Sequence, residues 1–537
     1  MDAKLRLVSA SAVIAVSLLA SACGSSSPTA SKSGHAHNSK SASSSIVIGY
    51  EADATSLDPA QVTDINSGQV LNQMYDELVQ YNAQGQISPD LATAWSQSAN
   101  RLQYTFTLRS GVKFSNGDPL TPAAVVYSFE RQLDTKNPGY QYGPYPFGDF
   151  FYGDVASVTA DGKNKVVFTL KQPEASFLDS LTTLTGAIVD PKVSLKDGKS
   201  FALHGAGTGP FMLASWERGT QLVLKPNPYY WGPKPKLTKV TFIPIVQSSE
   251  RSTDLESGTV NMVINPQPVD LSQIRSSGDT VAMQAGPHIW WIGMNLLEKP
   301  FSNVLVRQAL NYAVNKKAIV QDVLYNTGVA ADQPLSPSQM GFNPNVDPYN
   351  YNPAKAKALL KQAGYPHGFT ATLLVPTSGS GMQDPVNMAT SIQGDLAKIG
   401  VTIKIQQIDW GTFLNKIAEG SKKANLQMWE LSWMDSAVNP SLVLGPLLAG
   451  SSWPPGFNTG FYKDPRVDNL LVQAEAATST QQEAKLYQQA EALINQDAPW
   501  IFVDHAKSVV AYQPSVKGFT LSPVFPFYIN LRTVSMK

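Results

Sequence analysis

Apolar residues recur along this chain with two spacings, every second position and every three to four, and the two patterns alternate from residue 46 almost to the C-terminus. Tyr104-Thr-Phe-Thr-Leu108 and Val401-Thr-Ile-Lys-Ile405 keep strict period two and predict strands. Val166-Val-Phe-Thr-Leu170 and Val240-Thr-Phe-Ile243 also read as strands. Helix signals lie between them. Thr121-Pro122 predicts an N-cap and first helical position, with Val125, Phe129 and Leu133 on one face. Asn352-Pro353 opens another helix, striped by Ala356, Leu359, Leu360 and Ala363 and stopped by Gly364. Met388, Ile392, Leu396 and Ile399 form a third stripe, stopped by Gly400. Thr480 and Glu483 have the spacing of a capping box before Leu486, Leu493 and Ile494. Such intermixing predicts mixed α/β domains. Pro138–Pro146, Pro226–Pro235 and Trp453–Gly456 are dense in proline and glycine and read as loops. Tyr140, Tyr142, Tyr145, Phe147, Phe150 and Phe151 crowd into one of them. They read as a loop packed by its own aromatics, with a ligand-facing surface as the alternative.

The 537 residues give room for two to four domains, and 43% apolar content is enough for large cores. Lys and Arg total 41, as do Asp and Glu, which argues against a protein built for nucleic acid, where a basic excess is needed. Charged residues are only 15%, so Ser, Thr, Asn and Gln must supply much of the polar surface. A mean hydropathy of −0.14 excludes a polytopic membrane protein and leaves one hydrophobic segment to explain. Cys23 is the single cysteine, so no intrachain disulfide and no Cys-based zinc site is possible.

The hydrophobic segment is N-terminal. Lys4 and Arg6 precede an apolar run from Leu7 through Ala20, too short for a comfortable span of ~20 residues and shaped as a secretory signal. It ends in Leu19-Ala20-Ser21-Ala22-Cys23-Gly24. This resembles a bacterial lipoprotein signal, with Ala20 where leucine is usual. The resemblance implies a signal peptide over 1–22 and acyl chains on Cys23, which anchor a protein stably when there are several. Residues 24–45 hold ten serines and no acidic residue. With Cys23 they predict a flexible tether over 23–45, in which His35 and His37 read as a solvated pair rather than a metal site.

Signatures of catalysis are missing from the sequence. There is no nucleophile elbow, no His-Glu-x-x-His and no P-loop lysine motif. Gly205-Ala-Gly-Thr-Gly209 runs into Pro210-Phe211 where a dinucleotide loop would open a helix. His204, His288, His367 and His505 lack metal-ligand spacing and read as surface or core polar residues. Asp and Glu are plentiful, but no local pattern recommends a glycosidase pair.

From residue 46 to about 510, eight blocks carry a family resemblance. They are Ser56-Leu-Asp-Pro-Ala60; Met74-Tyr-Asp-Glu-Leu-Val79; Pro89-Asp-Leu-Ala92 with Trp95; and the stretch from Tyr104-Thr-Phe-Thr-Leu-Arg109 through Phe114-Ser-Asn-Gly117 to Thr121. Gly207-Thr-Gly-Pro-Phe211, Asn227-Pro-Tyr-Tyr-Trp-Gly232, Val306-Arg-Gln-Ala-Leu310 and Leu359-Leu-Lys-Gln-Ala-Gly-Tyr365 follow in order. In these blocks the chain resembles the family 5 extracellular solute-binding proteins, which serve oligopeptide, dipeptide and nickel ATP-binding-cassette (ABC) importers. The resemblance implies an α/β, two-lobed periplasmic-binding-protein-like fold with hinge-joined lobes around a ligand cleft and an extra inserted subdomain. By motif order, lobe I is 46–78, 200–286 and 510–537, the insert is 79–199, and lobe II is 287–509.

It also implies a receptor and not an enzyme. Such a protein is lipid-anchored on the outer face of the cell membrane and monomeric. It needs no cofactor and no catalytic residue, binds no nucleic acid, and hands its ligand to permease subunits. Short peptides are the expected cargo. An oligosaccharide, nickel chelate, haem or opine-like molecule is the alternative within the class, and an extracellular hydrolase on the same fold is the alternative outside it. The family's ligand-flanking strands correspond to Asp53-Ala54-Thr55 and Ser432-Trp433-Met434. The aspartate that pairs with a peptide's amine falls on Asp435 or, ungapped, on Ser436. Asn439 replaces a second aspartate. Trp433 is expected as pocket wall, and one of Trp290 and Trp291 at the cleft near Asn295. Thr208 and Gly209 are expected to shape the cleft or hinge, with a tight turn as the plain alternative. Trp453 and Asn458 complete the expected set.

Overall fold

One 13-residue strand, Trp500–Tyr512, organises the body. It is buried nearly throughout, as a strand covered on both faces must be, with apolar residues at its two ends and Asp504, His505, Lys507 and Ser508 between them. Its first part pairs antiparallel with His288–Met294, and its last part pairs antiparallel with Thr280–Ala285. Those two partners follow one another in sequence, with Gly286-Pro287 between them. The chain therefore passes between the two halves of the sheet at two adjacent places, within Trp500–Tyr512 and between Ala285 and His288.

The computed structural model describes residues 44–379, 381–420, 425–435 and 438–537, apart from the side chain of Ala418. Cys23, His35, His37 and Ser436 lie outside the described residues. The principal sheet has 12 strands. On one side of Trp500–Tyr512 come His288–Met294, Met428–Met434, Thr370–Pro376 and Thr402–Ile408. On the other come Met262–Ile264, Ser45–Tyr50, Lys239–Pro244, Gln221–Pro226 and Phe211–Glu217. Each half has its own core. Trp291, Leu310, Ile392 and Phe502 belong to the second, and Ile46, Ile48, Leu222, Phe242 and Leu531 to the first.

A third core is built from residues 78–188, with Leu442 of the second half added to it. It is built on a four-stranded antiparallel sheet made by Ala92–Gln97, Gln103–Leu108, Lys165–Leu170 and Val155–Asp161. Tyr104, Phe106 and Leu108 point inward by strand alternation. Phe168 meets Phe106 and Phe129 edge-on at 5.6 and 4.8 Å between centroids, geometry worth about 0.5–1.5 kcal/mol per pair beyond area. Phe129 comes from the Pro122–Leu133 helix, which Thr121 caps by accepting the Ala124 amide. Arg131 of that helix reaches into the first half, where both its terminal nitrogens bond Asp58, at 2.7 and 2.6 Å. Both side chains are sealed from solvent. Asp58 also accepts the Ala60 amide, which explains why aspartate stands in the Ser-Leu-Asp-Pro block.

Asn352 caps the Pro353–Gln362 helix as its sequence implies. The Thr480–Asp497 helix corrects its expected start. Ser479 is the N-cap and accepts the Gln482 amide, because Ser479 holds the extended backbone a cap needs and Thr480 is already helical. Glu483 is thereby released to turn inward and accept a bond from Asn439. The glycine-rich Gly205–Gly209 stretch is a close-packing device. A Cβ on Gly209 would fall 2.5 Å from the Met74 carbonyl carbon.

Candidate ligand cleft

The first wall is Asp53-Ala54-Thr55. Its groups are already engaged by the protein itself. Asp53 accepts bonds from the Tyr50 hydroxyl, the Trp216 indole and the Gly219 amide. The Ala54 amide donates to the Tyr50 hydroxyl, and the Thr55 amide donates to Ser67 Oγ at 2.8 Å. Thr55 Oγ1 donates to Asp64, the residue that caps the Ile65–Met74 helix through the Ser67 amide. Burial raises the Tyr50 hydroxyl pKa, with the Asp53 charge adding to it, and burial raises that of Asp64. Arg218 closes the arrangement. Its Nη2 donates to the Thr55 carbonyl at 3.2 Å, and its guanidinium stacks 4.3 Å from the Trp216 ring.

The second wall is built differently. Met428–Met434 pairs along its whole length with His288–Met294. On its other edge Thr370–Pro376 reaches only Met428 and Trp429. From Glu430 onward the strand thus has a strand neighbour on one side only, among the described residues. Ser432, Trp433 and Met434 are half-buried there. Trp433 donates its indole N–H to the Leu442 carbonyl. Its ring lies edge-on to Phe147 at 6.1 Å and to Phe457 at 5.4 Å. The aromatic loop is therefore packed partly by its own rings, Phe147, Phe150 and Phe151, and partly against the second half. Asp435 is fully buried, accepts a bond from Gln339 Nε2 at 2.9 Å, and ties its amide to the Pro287 carbonyl at the crossover.

Gly381, with φ of +73°, stands between the two walls. A Cβ there would lie 2.8 Å from Ile65 Cδ1 and 3.6 Å from both His288 Nε2 and Ser432 Oγ. Ile65 follows Asp64, so the Thr55 cluster and Ser432 approach one another across this glycine. Alongside runs a polar crevice of about 220 Å³, lined by Glu51, Ser248 and Arg251 from one half and Thr377, Gln383 and Asn387 from the other. A cavity of about 370 Å³ lies elsewhere, among helices of the second half near Ser441, Leu471 and Tyr487.

The other expected residues are engaged within the protein, and Trp290 among them lies directly across from Ser432 on the neighbouring strand. Trp291 is inside the second core, stacked on Trp500 at 4.4 Å. Trp290, on the opposite face of the same strand, is equally enclosed beside Glu430. Asn295 accepts the Leu297 amide in a turn. Thr208 is buried and donates to Asp76, which also receives Trp231 Nε1 and Arg532 Nη2. Gly209 packs on Met74 and Tyr75, the tight-turn alternative. Trp453 donates to the Tyr462 carbonyl, and Asn458 brackets Tyr462 with bonds to its amide and carbonyl. His288 and His505 are both buried, and burial lowers their pKa values to about 3 and about 4. Neither is charged near neutral pH. Arg218 went unread in the sequence, because only the folding of the Phe211–Glu217 and Gln221–Pro226 hairpin brings it to Thr55.

Two α/β halves with paired crossovers, and a half-open strand edge facing the other half, are the architecture of a solute-binding protein. The profile of "Bacterial extracellular solute-binding proteins, family 5 Middle" matches residues 86–455. The glutathione-binding protein GsiB of Escherichia coli O1:K1 is 31% identical over 487 residues, covering 90% of this chain and 93% of its own. The periplasmic binding protein DppA from Helicobacter pylori, solved with the peptide STSA, is 31% identical with a TM-score of 0.84, over 92% of this chain and 98% of that one. A dipeptide-binding protein from Pseudoalteromonas sp. SM9913, solved with Met-Leu, is 25% identical with a TM-score of 0.84, over 92% of this chain and 100% of that one. The chain belongs to the family 5 bacterial extracellular solute-binding proteins.

Proposed function

We propose that this protein is the lipid-anchored receptor of an ABC importer, and that it captures short peptides by closing its two halves about the crossovers near 286/287 and 506/507. The observation that carries the peptide assignment is the Met428–Met434 strand, which from Glu430 onward has a strand neighbour on one side only among the described residues. An extended peptide adds to such an edge through main-chain hydrogen bonds, which grip independently of sequence. Asp435 is the partner for the peptide amine, and Trp433 forms the adjoining wall. Arg218 at Thr55 receives a carboxylate, since charge-assisted bonds are the strong ones. The closed state is favoured to the extent that the ligand binds it more tightly than the open one. GsiB, DppA and the dipeptide-binding relative support the reading by what their names and bound peptides say of them.

Native mass spectrometry of protein purified without denaturation tests the cargo. A retained peptide, displaced by added Ser-Thr-Ser-Ala, Met-Leu or glutathione, is expected. A retained sugar or haem with no peptide binding overturns it. Cys23→Ala is expected to move the protein from the membrane fraction to the soluble fraction; unchanged fractionation contradicts the anchor.

A further inference from the structure

Four carboxylates meet where the 78–188 region touches the second half. Ser176 Oγ donates to Glu174 at 3.0 Å and to Glu475 at 3.3 Å, and the Ala175 amide donates to the Glu475 carbonyl at 3.2 Å. Tyr487 donates to the other oxygen of Glu475. A few residues on, Asp179 receives the Tyr81 hydroxyl at 2.5 Å and Asn439 Nδ2 at 3.2 Å. The same Asn439 nitrogen reaches Glu483 at 3.3 Å, and the Val438 amide donates to Tyr81. Glu174, Asp179 and Tyr81 belong to one side of this contact; Glu475, Glu483 and Asn439 belong to the other. Asp154 lies close enough to Glu174 to act on its charge, and Tyr104 stands in the same relation to Glu174 and Asp179. The cation facing the cluster, among the described residues, is Arg101, whose Nη1 donates to the Ala477 carbonyl. Four carboxyl groups around one arginine cannot all ionise without strong repulsion.

We propose that this contact is a proton-operated latch. Protonation of Glu174 and Glu483 holds the 78–188 region against the second half, and their ionisation releases it. The 78–188 region is itself tied to the first half by the buried Arg131–Asp58 pair, so releasing the latch removes one tie between the two halves and leaves the Phe147 contact with Trp433 and Phe457 as the other.

Burial first, then the Glu475 charge, pushes Glu174 up to about 8 and Glu483 up to about 7, and burial raises Asp179. Glu174 and Glu483 hold protons while the contact is made and give them up when it is broken. The contact is accordingly favoured in acid. It is penalised progressively as pH rises from the ordinary carboxylate range near ~4 through about 7 to 8. A receptor built this way closes more readily in acid surroundings, whatever its cargo.

Hydrogen exchange on the ligand-free protein reads the latch directly. Protection of the Ala175 and Val438 amides, corrected for intrinsic exchange, is expected to fall about tenfold or more between about pH 5.5 and about pH 8.5. The Gly209 amide, bonded to Met74 inside the first half, is expected to stay flat. Glu174→Gln with Glu483→Gln is expected to level the pH dependence at Ala175 and Val438. PH-independent protection in the unmodified protein overturns the latch, and this reading needs no variant to fold. A double variant that folds and tracks the unmodified protein overturns it as well. Neither result bears on which solute is bound.

Discussion

The two walls of the cleft are made of unlike materials. Asp53-Ala54-Thr55 has the Ala54 and Thr55 amides, the Thr55 carbonyl and the Asp53 and Thr55 side chains engaged by Tyr50, Ser67, Asp64, Trp216 and Arg218. The Ser432–Met434 segment belongs to a strand whose second edge has no strand neighbour there among the described residues. One wall has its groups engaged before any ligand arrives, and the other has an edge with no strand neighbour among the described residues. Rigid placement is cheap in ordering entropy, because a group already fixed loses nothing when it is used. An open edge supplies bonds that do not depend on the ligand's side chains. In the proposed receptor the first half therefore positions and the second half grips.

The comparison breaks most visibly at its foundation. Arg131→Met leaves the Asp58 carboxylate buried without its cation, three residues beyond the preset wall. It is expected to cost about 3–5 kcal/mol of stability in urea unfolding. A loss below about 1 kcal/mol, the scale of an exposed pair, would show that this anchor is not needed. Next comes the gripping side. Asp435→Ala is expected to weaken peptide affinity by about 2–5 kcal/mol in titration calorimetry, because an enclosed charge pair is lost. Unchanged affinity would move the amine partner to Ser436 or elsewhere. The smallest effect is expected on the preset side. Arg218→Ala exchanges an exposed guanidinium, and about 1 kcal/mol of affinity for a free-carboxylate peptide should go, with little change for the C-terminally amidated form. Equal losses for the two peptides would assign Arg218 to shaping the wall alone.

Much of this architecture was legible in the chain. The alternating strands, the Thr121 and Asn352 caps and the ordered blocks all led to the right fold, because each is a local rule that tertiary packing then agreed with. The site was less legible, for an identifiable reason. His288–Met294 is buried at every position, so Trp290 and Trp291 gave no alternation from which to tell an outer from an inner face. Thr208 was expected by motif order to shape the cleft or hinge, and its hydroxyl serves Asp76, which gathers partners from residues 231 and 532. Such long-range convergence leaves no periodic trace. The Thr480 capping box failed by one residue, since Ser479 is an equally good cap and packing drew Glu483 inward to Asn439.

The division of labour between the walls is tested most directly by hydrogen exchange with and without a bound peptide, for which Ser-Thr-Ser-Ala and glutathione are suitable probes. The account predicts new protection in the Met428–Met434 strand beyond Trp429, with little change at Ala54 and Thr55, whose amides are already bonded. Tight binding that leaves this strand unprotected, or that protects chiefly the Asp53–Thr55 segment, would contradict it.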